Sequence, residues 1–216
     1  MKKRFLLLSA LLTLAAFGFC AWLYPGMPAS IPTHWNTDGV ADGFSPRMGI
    51  FMYTGLMLAA IAAWSTLPSL SPRRFTVDAF APTWWQGGVM LVAFVAYMQC
   101  LHAWSAYSGG VDMGRAMLAG LALLFAFTGN VMGKVRSNFW FGVRTPWTLA
   151  NERVWYATHR MAARSMVAGA GLALLLLLLR TPTGWAIATL VASALLPAAW
   201  SLLYYKRLKR RGALES

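Results

Sequence analysis

Acidic side chains are scarce in this sequence. Six Asp and Glu stand against 19 Lys and Arg among 216 residues, a formal charge of +13, and only 12% of residues are charged. A soluble domain carries about a quarter, so the chain has too little polar surface to cover itself in water. Cysteine is equally rare. Cys20 and Cys100 are the whole complement, which excludes a small disulfide scaffold, and they lack metal-ligand spacing. Both fall in apolar runs, where an isolated thiol packs as a small hydrophobe. The sequence contains no HExxH, nucleophile elbow, P-loop or glycine-rich nucleotide fingerprint, so the common hydrolase and nucleotide-dependent chemistries have no foothold. Nor does the positive charge point to direct nucleic-acid binding, because the basic residues fill gaps between apolar runs instead of spreading through a polar sequence.

Apolar length is what the chain has. Hydrophobic residues make up 58% of it, in six continuous runs at 5–24, 48–67, 84–106, 114–133, 162–179 and 184–205. A helix of roughly 20 apolar residues crosses a bilayer core about 30 Å thick. Lipid admits only helices and closed barrels, and a barrel would show alternating segments of about 10 residues. The expected fold is all-α, a polytopic membrane helical bundle of six transmembrane helices forming a single membrane domain over 1–216. The start, Met1-Lys2-Lys3-Arg4, resembles a secretory signal. Its apolar run exceeds the roughly 7–15 residues of a signal core, however, and no small-x-small site closes it. Phe19 before Cys20 also argues against lipoprotein processing. An uncleaved first helix is expected.

Basic residues are retained on the cytoplasmic side. With the N-terminus inside, the inner segments hold Lys2, Lys3 and Arg4, then Arg73 and Arg74, then Lys134, Arg136, Arg144, Arg153, Arg160 and Arg164. The tail adds Lys206, Arg207, Lys209, Arg210 and Arg211, leaving only Arg47, Arg115 and Arg180 outside. Six spans with both termini cytoplasmic follow as the expectation. The loop 68–83, with Pro68, Pro72 and Pro82, reads as an ordinary connection.

Two loops are long enough for function. The outer loop 25–47 has helix-breaking Pro25, Pro28 and Pro32 and the turn pairs Asp38-Gly39 and Asp42-Gly43. His34, Trp35, Asn36, Asp38 and Asp42 supply ligand-type groups there, and His102 lies near the outer end of the third span. A site at the outer mouth from His34, Trp35, Asn36, Asp42 and His102 is therefore a candidate, with His34 and His102 as metal or proton ligands. Turn, capping and packing roles for the same residues are the competing account.

The inner loop 134–161 carries Thr145-Pro146, a helix start with Thr145 as N-cap and Pro146 at the first helical position. At 100° per residue, Trp147, Asn151, Val154, Trp155, Thr158 and Met161 fall on one arc of about 120°, with Arg153, Arg160 and Arg164 opposite. An amphipathic segment at the cytoplasmic interface, turning into the fifth span, is expected. Lys134, Arg136 and Arg144 approach a helix N-terminus, which favours anions. Candidate residues for lipid phosphate or a partner are Asn130, Lys134, Arg136, Asn138, Arg144, Thr145, Trp147, Asn151, Trp155, His159 and Arg160. A positive-inside loop with Trp anchors explains the charges and aromatics, but less well the uncharged Asn130, Asn138, Gly142, Thr145, Thr148, Asn151 and Thr158. Glu152 falls within about 20° of His159 on the same helical reckoning, so an acid/base pair is weighed against capping or a salt bridge.

Within the spans, Gln99, His102 and Ser105 lie three apart, and Thr128 with Asn130 close the fourth. No carboxylate lies inside any expected span, which counts against a proton- or cation-coupled transporter. Matching broken helices in the two halves are also lacking.

The stretch Gly129-Asn130, Lys134, Arg136, Asn138, Gly142-Val143-Arg144-Thr145-Pro146-Trp147-Thr148-Leu149, Asn151-Glu152, Val154-Trp155 and Thr158-His159-Arg160 resembles the signature of the SdpI family of bacterial immunity proteins, with Val143 where Ile is common. Ile31-Pro32-Thr33-His34-Trp35-Asn36, Gly39 and Asp42-Gly43 resemble the uncharacterised domain that precedes it in longer members. The missing catalytic motifs lead to the expectation of no enzyme and no cofactor. The resemblance implies a multi-pass protein of the bacterial inner membrane that protects a toxin-producing cell from a secreted membrane-active peptide toxin. It also implies signalling, by holding a small repressor protein at the membrane. Membrane lipids, a toxin outside and a repressor inside are the implied partners. A lipid- or small-solute-handling membrane protein and a membrane metalloenzyme are the alternatives the residues leave open.

Overall fold

The computed structural model describes residues 1–36, 39–72 and 75–214. Arg73, Arg74 and Asp38, all named above, lie outside the described residues. Six helices among the described residues are long and apolar enough to cross a membrane. They are α1 (Lys2–Leu23), α2 (Met52–Thr66), α3 (Ala81–Ser108), α4 (Met113–Met132), α6 (Glu152–Leu178) and α7 (Thr183–Arg210), with the one-turn α5 (Pro146–Ala150) before α6. Each is a predominantly apolar run whose helical bonding satisfies its backbone, as lipid requires, except at Pro197 of α7. Several reach past the apolar runs. The basic end of α7 is helical, and Arg207, Lys209 and Arg210 sit where the helix dipole favours cations.

The sequence reading takes the chain as one membrane domain, whereas its contacts group into two compact units, Met1–Thr66 with Trp85–Leu121 and Leu67–Trp84 with Ala122–Ser216. The first unit has a core of Cys20, Leu23, Met27, Ile31, Ile50, Ala103 and Ala106, against which Phe19, Tyr24, Phe51 and Tyr53 pack. A second cluster of Ala16, Met57, Val92 and Ala96 continues it. Fully buried Gln99 survives there because its amide exchanges bonds with Thr54 Oγ1 (3.0 Å) and donates to the Ile50 carbonyl (3.4 Å).

Within the outer segment 25–47, expected as a proline- and turn-rich loop of the all-α bundle, most of the residues form a β-hairpin. Strands β1 (Ser30–Trp35) and β2 (Ala41–Pro46) pair antiparallel, with the register shifting on both sides of His34. Ile31, fully buried, pins the hairpin to the core below. Asn36 closes the turn, its backbone N–H reaching the Val40 carbonyl (2.9 Å) and its Oδ1 accepting the Val40 N–H (2.9 Å). The prolines break a helix and the Asp-Gly pairs mark turns, which leaves the strands on either side unassigned. An Asp-Gly pair between two short alternating runs is also a hairpin signal.

In the second unit α6 and α7 pack as an antiparallel pair. A Cβ on Gly169 would strike Ser193, so glycine is what lets the backbones approach. Pro197 lies inside α7 and has no N–H for the Ser193 carbonyl one turn earlier. The Ser165 hydroxyl of α6 donates to that carbonyl instead, at 2.9 Å.

The expected amphipathic stretch through Trp147 to Met161 is also corrected. The helix breaks at Asn151, which is extended (φ −147°, ψ 122°), and α6 then runs unbroken from Glu152 to Leu178. The reason is Asn151 itself: its Oδ1 accepts the Val154 N–H at 3.1 Å and starts a new helix as N-cap. Of the arc, Val154, Trp155 and Thr158 are buried and Trp147, Asn151 and Met161 half-buried, while Arg153, Arg160 and Arg164 are exposed.

Candidate functional site

Two regions carry the expected site residues. The first is the motif loop between α4 and α6. Asn138 is fully buried, and its side chain makes four bonds to its own turn. Nδ2 donates to the carbonyls of Arg136 and Phe141 (both 2.8 Å), and Oδ1 accepts the N–H groups of Trp140 (2.8 Å) and Phe141 (2.7 Å). The turn delivers Gly142 at φ +124° against the His159 ring, where a Cβ would land on Nε2. Only glycine meets both demands.

His159 has both ring nitrogens engaged by main chain. Nε2 accepts the Val143 N–H at 3.1 Å, and Nδ1 donates to the Trp155 carbonyl at 2.8 Å. The acceptor role of Nε2 fixes a neutral ring with its proton on Nδ1. The ring stacks on Trp155 with centroids 4.0 Å apart, and Trp155 Nε1–H donates to the Val135 carbonyl at 2.9 Å. Glu152, exposed at the start of α6, has no role at these nitrogens, so the Glu152–His159 acid/base pair is not formed.

Thr145 and Thr148 form a reciprocal capping box: the Thr145 N–H reaches Thr148 Oγ1 (2.8 Å) and the Thr148 N–H reaches Thr145 Oγ1 (3.3 Å). Trp147 Nε1–H donates to Ser201 Oγ of α7. Asn151 Nδ2 donates to the Leu214 carbonyl at 3.1 Å, tying the segment after α7 to the start of α6. Asn138, Gly142, Thr145, Thr148 and Asn151 thus build the loop. The cations face outward: Lys134, Arg136, Arg144 and Arg160 are exposed, as is Asn130. Arg144 lies over the Phe139 ring (4.7 Å) and Arg136 over Tyr156 (5.1 Å), which holds each guanidinium in place without neutralising it.

The second region is the hairpin and the helices beneath it. His102 of α3 is buried, and its Nε2–H donates to the Pro32 carbonyl of β1 at 2.5 Å. Trp35 and Tyr53 meet its ring edge-on at 5.6 and 5.8 Å. His102 Nδ1 is buried with no partner among the described residues. His34 takes the other role, exposed on the hairpin with Nδ1 bonded to Asp42 Oδ1 at 2.5 Å. The two histidines, expected as joint metal or proton ligands, are therefore committed to different partners. Among the described residues no group of three His, Cys, Asp or Glu could hold a metal ion.

Ser201, Tyr53, Phe139 and Tyr156 belong to these arrangements and were not singled out in sequence. Ser201 and Tyr53 sit in apolar helices with no local signal. Phe139 and Tyr156 could have been found as aromatic neighbours of the loop arginines.

Comparison with known proteins places both regions. Residues 134–205 match the SdpI/YfhL protein family, and residues 11–58 match the domain of unknown function DUF1648. The first match spans the motif loop, α6 and most of α7; the second spans the hairpin and the halves of α1 and α2 that flank it. The chain is 25% identical over 167 residues to the immunity protein SdpI of Bacillus subtilis (strain 168), covering 77% of each chain. No solved structure matches. The likeness read from the two motifs is borne out, and the chain is an SdpI-like, multi-pass membrane protein.

Proposed function

We propose that this SdpI-like membrane protein confers immunity to a secreted, membrane-active peptide, with the hairpin end meeting the peptide and the motif loop meeting a cytoplasmic partner. The similarity to an immunity protein over 77% of both chains carries the reading. It is a binding role, not a catalytic one. The bias of Lys and Arg toward both termini and the motif loop supports a bacterial inner-membrane topology with the hairpin outside and both termini cytoplasmic. In that topology Lys134, Arg136 and Arg144 of the motif loop, with Arg160 of α6, supply an exposed cationic edge suited to an acidic surface on a repressor protein or to lipid phosphate.

The test is survival. A peptide-sensitive strain expressing the wild-type protein is expected to withstand a candidate toxin, and Arg144→Ala and His34→Ala are expected to weaken protection, the first through the motif loop and the second through the hairpin. Failure of the wild type against every candidate peptide would remove immunity. Phospholipid co-purifying with the wild type and lost with Arg144→Ala would favour a headgroup at the cationic edge. Reporter fusions at each terminus test the orientation.

A further inference from the structure

The outward face of the hairpin differs chemically from the rest of the chain. Segment 30–46 contains Asp38 and Asp42 and no Lys or Arg, in a protein of net charge +13. The adjacent Arg47 is half-buried; it donates to the carbonyls of Tyr24 (3.4 Å) and Met27 (3.2 Å) and lies 4.6 Å from the Tyr24 ring centre. Its charge is directed at the foot of the hairpin, not at its face.

Along β2, side chains alternate as a strand requires. Ala41, Gly43 and Ser45 are half-buried, whereas Asp42, Phe44 and Pro46 are exposed. Val40 continues the outward row, and Val40 and Phe44 are each 61% exposed. Between them the Asp42 and His34 side chains are 46% and 72% exposed. A polar pair this open cannot sit in hydrocarbon without heavy cost, so Val40 and Phe44 are apolar groups held beside it at an aqueous boundary. Lipid tails therefore do not account for their exposure. His34 occupies Asp42 Oδ1 and leaves the second oxygen to accept another donor.

We propose that this face is a docking surface for a cationic amphipathic peptide. Asp42 receives a basic side chain, and Val40 and Phe44, two residues away on either side, receive apolar ones. On the side where the proposed topology leaves only Arg47, Arg115 and Arg180, a cationic ligand meets little like charge and is drawn to this acidic, apolar-flanked strand. The proposal rests on the immunity reading for the secreted origin of the peptide, and narrows it to one chemical class and one face.

The experiment uses the full chain in phosphatidylcholine nanodiscs, with a fluorescein-labelled Lys/Leu amphipathic peptide and its Glu/Leu counterpart as probes. Anisotropy is expected to show the Lys/Leu probe binding protein-loaded discs more tightly than empty ones, with affinity falling as salt rises. The Glu/Leu probe is expected not to bind. Asp42→Lys and Phe44→Ser are each expected to weaken binding about tenfold or more, with unfolding temperatures matching the wild type. Equal binding to empty and loaded discs would make lipid the partner and overturn the proposal. So would variants that bind like the wild type, or Phe44→Cys dimers whose cross-linking the peptide does not reduce, since a second copy would then cover the face. In the survival assay, protection by the wild type and by both variants alike would remove the docking face and leave immunity standing. Peptide binding that the variants abolish, beside a wild type that never protects, would remove immunity and leave the docking face.

Discussion

The hairpin and the motif loop use polar residues in opposite ways. In the motif loop Asn138, Thr145, Thr148 and His159 turn inward and satisfy the loop's own backbone, while the cations remain outside. In the hairpin the strand ladder supplies the backbone bonds, so His34 and Asp42 are free to face outward, and one buried imidazole, His102, fastens β1 to α3. A loop without a ladder must build its own internal support from side chains. The motif residues are therefore construction first, and the hairpin residues are display. Mutations should fall into two classes accordingly.

The sharpest break in this comparison is Gly142→Ala. A Cβ at φ +124° is strained and displaces the His159 ring, with loss of the Val143 bond, so a destabilisation of about 3–5 kcal/mol is expected. Thermal unfolding in detergent measures it, and wild-type stability would mean the loop is not built on His159. Asn138→Ala strands two carbonyls and two N–H groups and is expected to cost about 2–3 kcal/mol, with Asn138→Asp intermediate because it keeps the acceptors and loses the donors.

His102→Phe should act locally. Loss of the bond to Pro32 is worth about 1–1.5 kcal/mol, which reads as roughly tenfold faster amide exchange across β1 and β2. Unchanged exchange there would show that Ile31 alone holds the hairpin down. Ser165→Ala removes the donor to the Ser193 carbonyl and is expected to lower stability by about 1 kcal/mol. Arg144→Ala is the smallest, within about 0.5 kcal/mol of wild type in unfolding, although it sits in the middle of the motif. A large loss of stability would move Arg144 from display to construction.

The helices were legible because lipid imposes a length and a composition, and both can be counted residue by residue. The start of α5 was equally legible, since Thr145 before Pro146 is a local chemical signal. The break at Asn151 was not. Helical periodicity fits residues 147–161 as one arc, and only the extended backbone of Asn151 divides it. The hairpin was hidden for a different reason, because Pro32, Pro46 and the Asp-Gly pairs punctuate strands as readily as loops. The candidate site was legible as a set of residues but not as roles. His159 and Asn138 look like ligands in sequence, and only three-dimensional placement spends their donors and acceptors on neighbouring main chain. His34 and His102 could be placed near the same end of the molecule from sequence, but not assigned to separate partners.

Pro197 bears on how the chain sits in the bilayer. Alone in lipid, α7 would carry the Ser193 carbonyl with neither water nor a helical N–H to meet it. The missing donor is Ser165, on the preceding span. Once the chain is in the bilayer, the proline of α7 is therefore accommodated by a hydroxyl from the helix beside it.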